Sequence, residues 1–157
     1  MEQELKIFIE RLEPQTEYPL SHSLAPSFLQ IEEKELIVTA PVDVKGKVFL
    51  TDHTLIFHLS CKTAIHMPCS ICNKMQVFFL NSTETIHSFD LEELRESTFD
   101  YSFLVREDLL LQIPQFAECN EGKCSERESL SSYIKKSPSP IKKGSSKQSS
   151  YFPFADL

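Results

Sequence analysis

The stretch HMPCSICNKMQ, His66 to Gln76, sets Cys69 and Cys72 two residues apart, behind a proline and ahead of a lysine. A pair at this spacing suits half of a metal site, a redox couple, or two small residues in a turn. A second pair, Cys119 and Cys124, encloses Gly122 in ECNEGKCSE. Each pair brackets a tight turn, so the two together offer four sulfurs to a tetrahedral Zn²⁺ at ~2.3 Å. Soft thiolates favour Zn²⁺ over Mg²⁺ or Ca²⁺. Zinc ribbons usually place their pairs ~15–20 residues apart, whereas 46 residues separate Cys72 from Cys119 here. The fold must therefore bring the two turns together, and the sequence leaves open whether it does. His66 is the one histidine close enough to Cys69 to stand in as a ligand.

The redox reading needs the first cysteine at a helix N-terminus after a βαβ-type strand, where the dipole lowers the thiol pKa. Cys69 and Cys72 instead lie between β-patterned segments. Cys61 shares parity with Leu55, Phe57 and Leu59 and reads as a small core hydrophobe. His53, His58 and His87 stand in no known catalytic motif. There is no Gly-x-Ser-x-Gly, no phosphate-binding loop and no His-Glu-x-x-His. Three glycines in 157 residues make a nucleotide cradle implausible.

The elements that must position the cysteines read mainly as β. In PVDVKGKVFL, Val42, Val44, Val48 and Leu50 alternate with Asp43, Lys45 and Lys47, the period of a half-buried strand. TLIFHLSC repeats the pattern, and MQVFFLNSTETIHSF predicts a third long strand with Val77 and Phe79 on one side. KELIVTA and LKIFIERL predict shorter strands. Three short helices are expected: at DLEEL, with Asp90 as N-cap and Glu93 three residues on; at LVREDLLLQIP, with Val105, Leu109, Gln112 and Ile113 on one stripe and Pro114 as the stop; and at SLAPSFLQI, with Pro26 in the first turn. The fold class expected is α+β: an antiparallel sheet with two or three short helices and a disordered C-terminal tail.

From Ser125 to Ser150 ten of 26 residues are serine, and six Lys/Arg against two Glu give +4. The net charge of the chain is −7, which leaves −11 for the remainder. A segment so poor in apolar residues does not offset its ordering entropy by burial. The expected organisation is an acidic domain over 1–124, a disordered Ser/Lys-rich linker over 125–150, and an apolar motif, YFPFADL, over 151–157. The N-terminus lacks the pattern of a signal peptide, and no apolar run approaches the ~18 residues of a membrane span. A cytoplasmic protein is expected, in a compartment where an odd set of five cysteines means thiols or metal ligands.

The order of these features resembles the YceD family, the bacterial large ribosomal RNA subunit accumulation proteins. The resemblance covers roughly residues 38–124, with an echo at PFADL. It rests on PCSIC and EDLLLQIPQFAEC in this order and spacing. It implies a role in producing or accumulating large-subunit rRNA, with no enzymatic activity. Many family members carry a longer second cluster, Cys-x-Gly-Leu-Cys-x-x-Cys-Gly. This chain has CNEGKCSE, in which Cys124 matches the Gly-Leu-Cys position and the final Cys-Gly is missing.

The expected cofactor is one structural Zn²⁺ on Cys69, Cys72, Cys119 and Cys124. An acidic body has little to trade against the counterions of a phosphate backbone. The expected partner is accordingly a basic protein, ribosomal or ribosome-assembly, with rRNA touched weakly through the positive tail and no membrane contact. Two other classes fit some of the residues. A zinc-stabilised RNA-binding module would need a basic, aromatic-bearing patch on the sheet. A thiol oxidoreductase would need a low thiol pKa at Cys69.

Overall fold

The computed structural model describes residues 5–130. Alternating apolar residues build a five-stranded antiparallel sheet from β2 (Tyr18–Leu24), β3 (Ile37–Val38), β4 (Val42–Leu50), β5 (Thr54–Pro68) and β6 (Met75–Asp90). β5 is the centre. On one side it pairs with β4 and then β3, while β6 runs along its other side for its full length. β2 closes the far edge against β4. β1 (Lys6–Phe8) and β7 (Thr98–Asp100) form a separate two-stranded ribbon. α1 (Ser102–Leu110) lies against β5 and β6. The α+β class with an antiparallel sheet holds, and among the described residues no helix is long and apolar enough to cross a membrane.

The period-two reading of β4 and β5 holds along most of both strands: Val42, Val44, Val48, Leu55, Phe57, Leu59 and Cys61 are all buried, while Leu50, at the strand end, is half-buried. Halfway along, the β5–β6 ladder shifts register between Leu59 and Cys61. Opposite the shift Glu84 takes a left-handed φ of 53°, its amide donating to Ser60 Oγ at 3.1 Å. Gly46 sits beside the same point, and a Cβ there would lie 2.0 Å from the His58 carbonyl oxygen. A side chain is sterically impossible where the two strands approach this closely. In β6 the parity of Val77 and Phe79 faces solvent, with Phe79 83 % exposed, and Leu80 and Ser82 fill the inner face.

The helical expectations divide. LVREDLLLQIP forms α1, which opens where Asp100 Oδ1 accepts the Ser102 amide at 2.9 Å. Val105 and Leu109 are buried as expected, but the helix ends at Leu110, so Gln112 and Ile113 belong to the turn before Pro114. SLAPSFLQI gives only a 3₁₀ turn, Pro26–Leu29. DLEEL is not a helix: β6 runs on to Asp90, whose Oδ1 accepts the Glu92 amide at 3.0 Å in a local turn. Asp90 caps this turn, and pairing of β6 with Thr54 and Leu55 outweighs a weak local capping signal. KELIVTA is a two-residue strand, and LKIFIERL breaks after Phe8 into a 3₁₀ turn, Ile9–Arg11.

Arg127–Leu130 forms a further helical turn, α3, past the expected domain end at Cys124. Composition averages over 26 residues and misses that Arg127 has one buried carboxylate to pair with. Residues 131–150 and the 151–157 motif lie outside the described residues.

Candidate metal centre

β5 ends at Pro68 and delivers Cys69 into the loop that returns as β6. The loop closes with the Cys69 amide donating to the Lys74 carbonyl and the Asn73 amide to the Cys69 carbonyl, both at 2.9 Å. Asn73 takes a left-handed φ of 58°, a conformation asparagine tolerates better than most residues. This turn aims Cys69 and Cys72 to the same side.

The second pair arrives on the segment that follows α1. The Ser70 amide donates to the Ala117 carbonyl at 2.6 Å, and the Ala117 amide donates back to Ser70 Oγ at 3.2 Å. These reciprocal bonds dock the two loops. α2 (Cys119–Gly122) is a tight turn with left-handed backbone at Asn120, Glu121 and Gly122, which folds Cys124 back toward Cys119.

The four sulfurs of Cys69, Cys72, Cys119 and Cys124 all lie within 4.8 Å of one another, so the fold brings together two pairs whose meeting the sequence left open. A tetrahedral ion ~2.3 Å from each sulfur sets sulfur pairs ~3.8 Å apart, and Cys72 Sγ stands 3.8 Å from Cys119 Sγ. The donor set therefore fits a metal ion closed on all four sides by protein. His66 is not part of the set: it sits in the β5 ladder between Ile37 and Val77. Cys61 is fully buried, and burial with the nearby Asp108 charge pushes its thiol up to about 12.

The cluster is prepared for negative charge. Burial opposes ionisation of Cys69, yet amide hydrogen bonds from Cys72, Cys119 and Ile71 outweigh it and lower the thiol to about 6. The Ile71 and Cys119 amides each donate to Cys69 Sγ at 3.4 Å. Cys119, hydrogen-bonded to Cys124 and half-buried, is pushed up to about 12, and burial raises Cys124 as well. The amide hydrogen bonds favour the thiolate at Cys69, the form in which a sulfur binds a cation.

Glu118 and Arg127 complete the surround, and the sequence reading did not single them out. Glu118 Oε1 accepts the Cys124 amide and Arg127 Nε, both at 2.9 Å, and Oε2 pairs with Arg127 Nη2. The Arg127 hydrogen bond, with the Cys124 amide, holds the Glu118 carboxyl down at about 2. The available signal was an acid and a base flanking the Cys119/Cys124 pair. A second buried acid was also missed: Asp108, on the inward stripe of α1, bonds Thr85 Oγ1 at 2.5 Å and His87 Nε2 at 3.0 Å. It fixes the helix to β6 and lies apart from the sulfurs.

No protein-family model matches the chain, and no curated protein or solved structure matches it either.

Proposed function

We propose that this protein is a non-catalytic, cytoplasmic factor supporting accumulation of large-subunit ribosomal RNA, as the YceD resemblance suggests, and that it works through protein contacts. The observation that carries the proposal is the meeting of PCSIC with AECNEGKC, the sequence features behind the resemblance, in one four-sulfur cluster. Cys69, Cys72, Cys119 and Cys124 would hold one Zn²⁺, which four thiolates suit better than a hard cation. A cation closed by four protein sulfurs has no open position for water or substrate, so its contribution is to folding.

Charge supports protein over RNA as the direct partner. Residues 5–130 carry eleven Lys/Arg against twenty Asp/Glu, a net of −9, which repels phosphates and suits a basic protein surface. Depleting the protein in its own cell and comparing large- with small-subunit rRNA tests the reading. A fall in the large-subunit species alone is expected, and an unchanged ratio overturns it. A chain ending at Leu130 is expected not to bind rRNA fragments at physiological salt; tight binding would favour an RNA-binding module instead.

A further inference from the structure

Two recesses of about 390 and 500 Å³ lie between the 29–36 segment and the turn after α1. Both are lined by Glu33, Leu36, Ile113 and Pro114, so they are one continuous furrow. Its floor is apolar: Leu36 is 9 % exposed and Ile31 and Ile113 are half-buried against the core. Its rim is acidic, with Glu32, Glu33 and Glu35 exposed along one wall. The one cation in the lining is Arg106, whose Nη2 is engaged by the Leu29 carbonyl at 3.2 Å. At the other end the furrow abuts Met67, Pro68 and Cys69, where β5 enters the sulfur cluster.

We propose that this furrow, lined by Leu36 and Ile113 and rimmed by Glu32, Glu33 and Glu35, holds an extended Lys/Arg-rich segment of a partner protein. The proposal rests on the reading that the acidic body works by touching a basic protein, and it says where. An extended chain presents side chains alternately, so apolar residues enter the floor while basic ones reach the glutamates. The charge excludes the other obvious occupants. A phosphate backbone meets three carboxylates, and a second copy brings a described body of net −9. Cys69 itself lines the furrow, and the reciprocal Ser70–Ala117 hydrogen bonds tie together the two segments that carry Pro68 and Pro114.

The probe is a labelled twelve-residue peptide in which Lys and Arg alternate with Val and Pro, with a Glu-for-Lys/Arg twin as control. Its binding is read by anisotropy on the full, zinc-loaded chain. E32Q/E33Q/E35Q is expected to raise Kd about tenfold, and E92Q/E93Q/E96Q, an acidic cluster elsewhere, to change it by less than about twofold. Equal losses in both variants would mean diffuse acidity and overturn the furrow, as would failure of the wild-type chain to bind the probe. A chain ending at Leu130 that binds about tenfold tighter would show that the furrow's occupant is this chain's own lysine-rich segment, and would also overturn it. The rRNA ratio separates the two ideas. If depletion lowers large-subunit rRNA and E32Q/E33Q/E35Q restores it fully, the rRNA reading stands and the furrow falls. If depletion changes nothing while the probe still needs Glu32, Glu33 and Glu35, the furrow stands and the rRNA reading falls.

Discussion

At its open end the β5–β6 hairpin buries Phe57 against Phe99 and Tyr101, with ring centroids 5.3 and 5.4 Å apart, and Phe89 packs on Phe99 at 4.8 Å. At its closed end the same two strands run out of core. Ile71 and Cys72 are half-exposed, Asn73 and Lys74 are exposed, and what meets there is four sulfurs and the reciprocal hydrogen bonds between Ser70 and Ala117, one of them to the Ser70 hydroxyl. One ladder thus ends on one side in apolar burial, which needs only the chain, and on the other in four donor atoms placed closely enough to hold a cation. Burial is non-directional and roughly additive. A sulfur cluster is all-or-none, and without its ion it concentrates groups that resist sharing charge.

The largest effect expected is on the closed end. Structural zinc contributes ~10–16 kcal/mol to small zinc-folded peptides near pH 7, more than a local turn can replace. Purified protein should carry about one Zn²⁺ per chain, lost in both Cys69→Ser and Cys119→Ser. After chelation, hydrogen exchange should quicken at Ile71, Asn73, Cys119 and Cys124 while Val44, Phe57 and Leu59 stay protected. Unchanged exchange at Cys119 would show that the docked loops hold themselves, and the contrast between the ends would collapse.

The reciprocal test is Phe57→Ala. Removing a fully buried aromatic costs ~3–5 kcal/mol, and Phe57 has no exposure at all. The melting temperature should drop while the folded fraction keeps its zinc. Parallel loss of zinc would mean that the two ends unfold as one cooperative unit.

A smaller effect is expected from Glu118→Gln, which keeps an acceptor for the Cys124 amide but removes the ion pair with Arg127. Groups that orient metal ligands typically govern ~10–100-fold in affinity, and the lower figure applies where one hydrogen bond survives. Competition with a chromogenic chelator reads this directly. An unchanged affinity would make Glu118 and Arg127 a clasp for α3 alone.

What the sequence made legible divides along the same line. β4 and β5 were readable because one face packs on a continuous core, and period-two burial is written directly into Val42 through Cys61. The metal ligands were readable as pairs, since each pair is local. Their meeting was not, because it depends on Ser70 and Ala117 finding one another across 47 positions. The short elements failed for the opposite reason. DLEEL carries a local helix signal, but cross-strand pairing of Asp90 and Phe89 with Thr54 and Leu55 decides that segment. Asp108 was illegible, and Glu118 legible only as an acid beside the Cys119/Cys124 pair, because a buried acid looks like a surface acid until its partners are placed.

The smallest effect tests the apolar core, from mid-ladder to the open end, through its ionisable groups. Cys61 is raised from 9.0 to about 12 by burial and Asp108, and Tyr101 from 10.0 to about 12 by burial and Asp100. Both groups keep their protons in the folded chain to higher pH than in the unfolded one. Above pH 9 the unfolded state therefore binds fewer protons, and stability falls as pH rises, first through Cys61 and from pH 10 through Tyr101 as well. Cys61→Ala lowers stability at neutral pH by leaving a small void, but it should remove the first step of the alkaline fall. Between pH 9 and 10 the zinc-loaded wild type should lose on the order of 1 kcal/mol more than the variant. Denaturant midpoints measured across that interval decide the matter. Parallel slopes would mean that the Cys61 thiolate is accommodated at the core, and that the contrast between a dry, aromatic end and a charge-bearing end is weaker than the packing suggests.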